Sequence, residues 1–381
     1  MYERAEARID LAALRHNVRE LKSRLDQRVE LCPVLKADAY GHGSLHCVGA
    51  VAEAGADRIA FATASEEVLA RSVAPVIPTL AVGALAPGEI EMAISAGADV
   101  AAWEPGFIAT LADQAAASGL VVGVHVKYDT GMGRLGATDP ELVLELARTA
   151  DAHPNLRLAA IWTHFATADE KDTTFRDLQR DRLAELGERA RREFPEVKLH
   201  AANSAAMIAD PACHFDMVRP GVAIYGMDPF GNDPADHNLR PVLSLHSWVA
   251  SVKDFEPGQS AGYGRTWTAD RDTRVAAIPI GYGDGVRRGL SNRGEVLIGG
   301  RRYPISGTVS MDNITVDLGP DSAVRVGDEV TLIGSQGDER ITAEQVAVPL
   351  ETINYEVTCG ISPRVPRVGR EGGSPEVSGS R

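Results

Sequence analysis

The sequence predicts an N-terminal (β/α)8 barrel of the TIM type followed by a C-terminal, mainly-β domain. Short apolar runs alternate with helical stretches up to about residue 226, and eight such units suit a closed parallel barrel. Beyond Gly226 the texture changes to alternating apolar runs broken by glycine-bearing turns. The rhythm alone leaves an open doubly wound sheet as the alternative.

Taken in order, Leu11, Leu14, Val18, Leu21 and Leu25 fall at helical spacing and predict a helix over 10–24. The eight expected strands are Leu31–Leu35, Arg58–Thr63, Thr79–Val82, Asp99–Trp103, Val121–Val126, Leu158–His164, Val197–Ala202 and Phe215–Val218. Amphipathic or alanine-rich segments separate them, the longest being Thr173–Phe194. Asp228–Arg240, rich in Pro, Gly, Asn and Asp, reads as a linker. Strand-like runs follow at Val242–Val252, Arg274–Ile280, Glu295–Ile298, Ile314–Leu318 and Glu329–Ile333. The expected organisation is a barrel over 1–235, a β domain over 236–370 and a disordered tail over 371–381, where Gly, Ser, Pro and charge dominate.

Composition narrows the function. Across 381 residues, 39 basic against 53 acidic side chains leave a net charge of −14, which repels nucleic acid and anionic membranes. The charged stretch Met1–Asp10 has no apolar core of a signal peptide, and the uncharged stretch Ser72–Gly88 is short and interrupted by prolines. Cys32, Cys47, Cys213 and Cys359 lie far apart, without metal-ligand or disulfide spacing. The expectation is a soluble cytoplasmic protein with no metal. Only six lysines occur (Lys22, Lys36, Lys127, Lys171, Lys198, Lys253), so a lysine in an apolar segment stands out.

Lys36 ends the first strand in Val34-Leu-Lys36-Ala-Asp-Ala-Tyr40-Gly-His-Gly43. The carboxyl ends of barrel strands face the active site, and an amine held against apolar walls can act as a neutral nucleophile. Spacing alone favours a lysine snorkelling to solvent. Lys127-Tyr-Asp129-Thr-Gly131-Met-Gly133-Arg134 ends the fifth run; its glycines admit a ligand and Arg134 offers a fork for a carboxylate, or the segment is a turn with an exposed arginine. His164 ends the sixth run, and Asn203-Ser204 the seventh, where Ser204 could equally be a helix cap. Arg219-Pro-Gly221-Val222 follows the eighth, where barrels frequently bind phosphate. A reactive lysine with a phosphate cup suits pyridoxal phosphate. His42 and His46, without H-E-x-x-H, are unconvincing metal ligands, and no nucleotide-binding P-loop occurs.

Together these strings resemble the alanine racemase family. The Lys36 segment is similar to its cofactor-attachment motif, and Asp129–Gly136, Thr163–Ala166, Ala202–Ser204, Val218–Gly221, Ala261–Gly264, Gly281–Gly285, Ser310–Asp312 and Thr352–Glu356 follow in the family's order. The resemblance runs from about Ala7 to Arg367. It implies interconversion of L- and D-alanine on pyridoxal 5'-phosphate, held by Lys36 as an imine, with D-alanine supplied for peptidoglycan. It also implies a head-to-tail homodimer in which one subunit's β domain completes the other's barrel site.

Residue by residue, the resemblance implies that Lys36 takes the α-proton of D-alanine and Tyr263 that of L-alanine. A tyrosine of pKa about 10 needs cations beside its phenolate, and Arg265 or His164 is suspected in that role. Arg219 would face the ring nitrogen, keeping it unprotonated, with His164 supporting Arg219. Arg134 and the Met311 backbone would hold the substrate carboxylate. Tyr40, Ser204, Gly221, Val222 and Tyr355 would surround the phosphate, with Asn203 beside them. Tyr282 and Tyr355 would narrow the entrance to suit alanine, and Lys127 is placed for carbamylation. Ser310 stands where other members carry Cys, which bears on substrate size.

Three alternatives share parts of this pattern. A broad-specificity racemase has the same architecture. Decarboxylases of basic amino acids carry an acidic residue at the ring nitrogen, against which Arg219 speaks. A non-catalytic pyridoxal-phosphate-binding protein stops after the barrel, against which the β domain with Tyr263 speaks.

Overall fold

The computed structural model describes residues 4–372, so the expected tail lies outside the described residues except for Glu371 and Gly372. Two compact units emerge, one of residues 15–39 and 47–224, the other of residues 4–14, 40–46 and 225–372.

The first strand, β1 (Glu6–Asp10), is followed by a helix, Leu11–Ser23. The barrel strands are β2 (Glu30–Leu31), β3 (Ile59–Phe61), β4 (Thr79–Ala81), β5 (Asp99–Ala102), β6 (Val122–Lys127), β7 (Leu156–Trp162), β8 (Lys198–His200) and β9 (Met217–Val218). All eight are parallel, in the order β2-β9-β8-β7-β6-β5-β4-β3. A parallel bridge between Val34 and Ala60, with Leu35 N donating to Ala60 O at 2.9 Å, joins the two ends and closes the barrel. Each expected run therefore contains or overlaps a strand, and the open-sheet alternative falls away. Burial explains the apolar runs: every residue of β6 is buried, as parallel strands covered on both faces require.

Helix starts are written locally. Thr63 and Glu66 form a capping box ahead of Ala64–Val73, and proline opens Pro87–Ser95, Pro105–Ser118 and Pro140–Ala152. Thr174–Glu193, at 20 residues, is the longest described helix.

In the second unit a seven-stranded sheet runs Arg301–Pro304, Glu295–Ile298, Glu329–Gln336, Leu243–Trp248, β1, Arg367–Arg370, with Glu339–Ile341 paired to Glu329–Gln336. A three-stranded sheet holds Ser251–Phe255, Thr273–Ile278 and Ile314–Gly319. The single expected run Val242–Val252 thus breaks into strands of two different sheets. Reading along the chain groups β1 with 1–235, yet its hydrogen bonds run to Leu243–Trp248 and Arg367–Arg370. These partners are remote in sequence, so no local pattern announces them.

Among the described residues, no helix is long and apolar enough to cross a membrane, and no cluster of metal-ligating side chains occurs. All four cysteines are free.

One buried carboxyl carries a stability prediction. Glu67 is fully buried, and neither oxygen meets a hydrogen-bond donor. Burial pushes its pKa up to about 8, with Thr79 and Arg71 offsetting part of that rise. An unfolded glutamate titrates near about 4.3, so the native state holds the extra proton between those values. Stability therefore falls as pH rises from about 4.3 to about 8. Glu67→Gln should be more stable than the parent at pH 8 by roughly 2–4 kcal/mol, after discounting for relaxation, and near parity at pH 4.5. Urea unfolding at both pH values checks this; an identical pH dependence in the two proteins contradicts it.

Candidate active site

Chemistry-bearing side chains of the barrel gather at the carboxyl ends of its strands. Lys36, half-buried, follows the extension of β2. The next four residues, Ala37, Asp38, Ala39 and Tyr40, all have φ between 53° and 55°. A left-handed turn of L-residues costs about 1–2 kcal/mol per residue and persists only where its surroundings impose it. Ala39 N donates to Leu35 O at 3.0 Å, and Ala37 N donates to Glu66 Oε1 at 2.7 Å. Glu66 Oε2 also accepts from Ala62 N and Thr63 N, so one carboxylate ties the turn after Lys36 to the end of β3.

At the end of β6, Lys127 is 2% exposed, with Nζ 4.1 Å from the centre of the Trp162 ring. Burial, and after it Arg219 and Arg134, lower its pKa to about 7. No hydrogen bond or ion pair engages its amine among the described residues. The following loop is organised by Asp129, whose carboxylate accepts from the backbone N–H groups of Gly131, Met132, Gly133 and Arg134. Those four donors outweigh burial and hold its pKa below the usual carboxylate range. Gly136, at φ +121°, lets the loop return, since a Cβ there would lie 2.8 Å from Asp129 N. Arg134 is presented exposed on this loop and pairs with no described carboxylate.

Arg219, after β9, is 4% exposed. It donates to Thr163 O at 2.9 Å, Ala201 O at 3.0 Å, His200 Nδ1 at 2.5 Å and His164 Nδ1 at 3.3 Å, and lies 4.7 Å from the Trp162 ring centre. Burial lowers its pKa to about 10, still a cation at neutral pH. His164 is half-buried and held well below its ordinary pKa by desolvation, then by Arg219, Lys127, Arg134 and Lys36.

Asn203 caps the helix Ser204–Ala209 by accepting from Ala206 N. Ser204 Oγ accepts from Gly221 N at 2.9 Å and Ala223 N at 3.2 Å, which leaves the hydroxyl proton to donate elsewhere. The Gly221 N–H is therefore engaged within the protein, whereas Val222 N–H meets no described acceptor.

In the second unit, Tyr40 and Tyr355 lie with ring centres 6.0 Å apart, and Tyr40 also packs on Tyr225 at 5.2 Å. Burial, and after it Tyr355, raise the Tyr40 pKa, so its phenol stays a donor at neutral pH. Tyr263, Tyr282 and Met311 are 73%, 44% and 52% exposed. Tyr263 sits between Gly262 and Gly264, both with positive φ, and its carbonyl accepts from Thr308 Oγ1 at 2.8 Å. Tyr282 N and Gly283 N donate to Ser310 O and Met311 O, tying these two turns together. Arg265 donates from Nε to Ser260 Oγ at 2.8 Å.

Sequence reasoning assigns no role to Trp162, His200, Glu66 or Asp129. Trp162 forms the common wall for Lys127, Arg219 and His200, and stacks on His200 at 5.4 Å and 13°. The available signal is its place as the last residue of β7, immediately before Thr163-His164.

Comparison with known proteins adds a second line of support. Residues 9–229 match the family model "Alanine racemase, N-terminal domain" and residues 242–369 match "Alanine racemase, C-terminal domain". An alanine racemase of Symbiobacterium thermophilum is 42% identical over 362 residues, covering 95% of this chain and 96% of the relative. Among solved structures, the alanine racemase from D-cycloserine-producing Streptomyces lavendulae superposes with a TM-score of 0.92 at 35% identity, covering 98% of each chain. That of Bacillus anthracis with bound L-Ala-P superposes with a TM-score of 0.88 at 34% identity, covering 99% of this chain and 97% of the other.

Proposed function

The chain belongs to the alanine racemase family, and from that premise we propose that it interconverts L- and D-alanine in the cytoplasm with pyridoxal 5'-phosphate, as a homodimer. The observation that carries this reading is electrostatic. In a protein of net charge −14, Lys36, Arg134 and Arg219 act on His164 as one group of cations. No described carboxylate pairs with Lys127, Arg134 or Arg219. Such a barrel mouth suits a phosphate together with a carboxylate.

The donor set fits the cofactor. Lys36 supplies the amine that holds its aldehyde. The Ser204 hydroxyl and Val222 N–H are donors for its phosphate, with Gly221 and Asn203 beside them and the phenols of Tyr40 and Tyr355 as further donors. Arg219 would face the ring nitrogen, donating a hydrogen bond without giving up its proton, with His164 at its flank. When bound, pyridoxal phosphate supplies the electron-withdrawing ring that makes the α-proton of alanine acidic enough to move.

The protein's own groups do the rest. Arg134 and the Met311 backbone bind the substrate carboxylate, and Tyr282 with Tyr355 limits the side chain to a methyl group. Lys36 Nζ takes the α-proton from D-alanine and Tyr263 Oη takes it from L-alanine, each leaving the other to return a proton on the opposite face. Tyr263, Tyr282 and Met311 are large side chains turned to solvent, as suits residues that complete a partner's site. Four free cysteines agree with a reducing compartment. Racemisation of L-alanine by the purified, cofactor-loaded protein tests the reading, and an inactive loaded protein contradicts it.

Lys127 is proposed to be carbamylated. An amine with a pKa of about 7 is largely neutral at pH 8, and the neutral amine adds carbon dioxide, releasing a proton. The carbamate so formed orients Arg134. Carbon-13 NMR of the protein in labelled bicarbonate should contain a carbamate signal that Lys127→Ala lacks. That variant should raise KM for alanine about tenfold, as expected for one lost charge-assisted hydrogen bond. An unlabelled parent with an unchanged KM in the variant contradicts the assignment.

A further inference from the structure

A chain of buried polar groups crosses the barrel from its amino-terminal to its carboxyl-terminal end. Asp99 opens β5, where its carboxylate accepts from Arg58 Nη1 at 2.7 Å and from Arg157 Nη2 at 3.3 Å. His125 Nε2 lies 3.4 Å from Asp99 Oδ2, and His125 Nδ1 lies 2.9 Å from His200 Nε2. His200 Nδ1 lies 2.5 Å from Arg219 Nη1. His125 and His200 are 3% and 0% exposed, so water cannot complete either ring's hydrogen bonds.

The two ends dictate every proton between them. Arginine can only donate and a carboxylate can only accept. His200 Nδ1 must therefore present a lone pair to Arg219, which puts the His200 proton on Nε2. That proton points at His125 Nδ1, which must accept, so the His125 proton is also on Nε2 and points at Asp99. A charged His200 would set a donor against the guanidinium. Burial lowers the pKa of both rings, which agrees with two neutral imidazoles.

One further feature serves this arrangement. Gly123 has no special backbone conformation, yet a Cβ there would lie 2.0 Å from Asp99 Oδ1 and 2.7 Å from Arg157 Nη2. The missing side chain makes room for the Asp99 carboxylate.

We propose that Asp99 is a remote positioning residue, which sets the tautomers of His125 and His200 so that Arg219 meets only a lone pair. Its consequence for the reaction rests on the reading that Arg219 faces the cofactor ring. The test is long-range proton–nitrogen NMR of the holoenzyme with nitrogen-15-labelled histidine. Both rings should be neutral with the proton on Nε2. Asp99→Leu should mix the tautomers, and Asp99→Asn should keep them, because its amide oxygen still accepts. Gly123→Ala, which displaces the carboxylate without altering a member of the chain, should act as Asp99→Leu does even if that variant fails to fold. A charged or Nδ1-protonated ring in the parent overturns the proposal, as do parental tautomers in Gly123→Ala. In the tautomer-mixing variant, kcat should fall roughly tenfold with KM for alanine little changed, the size of one lost buried hydrogen bond. The visible absorption of the bound cofactor should also shift. Mixed tautomers with kcat and absorption unchanged would instead overturn Arg219's place beside the ring.

Discussion

Lys36→Ala should remove racemase activity, by at least about 10³-fold, because the substitution deletes both the amine that holds the cofactor and the base for D-alanine. The loss should come with a changed visible absorption of added pyridoxal phosphate, since no lysine amine then holds the aldehyde. Lys36→Arg separates charge from chemistry. It keeps a cation at a mouth already populated by Arg134 and Arg219 but supplies no free amine, so it should be as inactive as alanine. Turnover within tenfold of the parent in either variant contradicts the role of Lys36. The left-handed turn over residues 37–40 makes the position demanding, because the chain must leave the strand in a conformation that L-residues avoid.

The second large effect belongs to Tyr263. Tyr263→Phe should lower L-to-D turnover by about 10²–10⁴-fold, the range of a lost general base. Exchange of the α-proton of D-alanine with solvent should persist, because Lys36 is untouched. Equal loss of both activities would make Tyr263 a structural element of the site, and intact turnover both ways would remove it from the chemistry. Loss of a hydroxyl from a side chain that is 73% exposed in its own subunit costs that subunit little stability, so the effect reads chemistry rather than folding.

Local pattern carries most of the barrel. Strands β2 to β9 each fall within or overlap an apolar run, because burial on both faces leaves a continuous signature. Helix starts are equally local, written as Thr63 with Glu66 or as proline at the first turn. The second unit is less legible. β1 finds its neighbours at Leu243–Trp248 and Arg367–Arg370, and the break near Val249 sends one apolar run into two sheets. These are decisions of distant pairing, and composition within a window cannot express them.

The candidate site divides along the same line. Lys36, His164, Ser204 and Arg219 stand out because each is a polar residue at or just beyond the end of an apolar run, and Arg134 because it follows a glycine-bearing turn. Trp162, His125 and His200 do not, because inside a strand they read as ordinary core. Only the closed barrel reveals that His200 stacks on Trp162 and faces Arg219. Glu66 is legible as a capping residue but not as the acceptor for Ala37 N, a contact made from the helix after β3 to the turn after Lys36. Asp129 is visible in its motif, but its four backbone donors exist only once the loop has closed.

The most direct test follows L-alanine in heavy water with the cofactor-loaded protein, recording optical activity and α-proton exchange together. The account predicts that optical activity is lost and that the D-alanine formed carries deuterium at the α-carbon. Serine and lysine, run in parallel, should racemise far more slowly if Tyr282 and Tyr355 restrict the side chain. Bound pyridoxal phosphate with no change in optical activity and no deuterium in alanine would contradict it, leaving Lys36 a cofactor anchor alone.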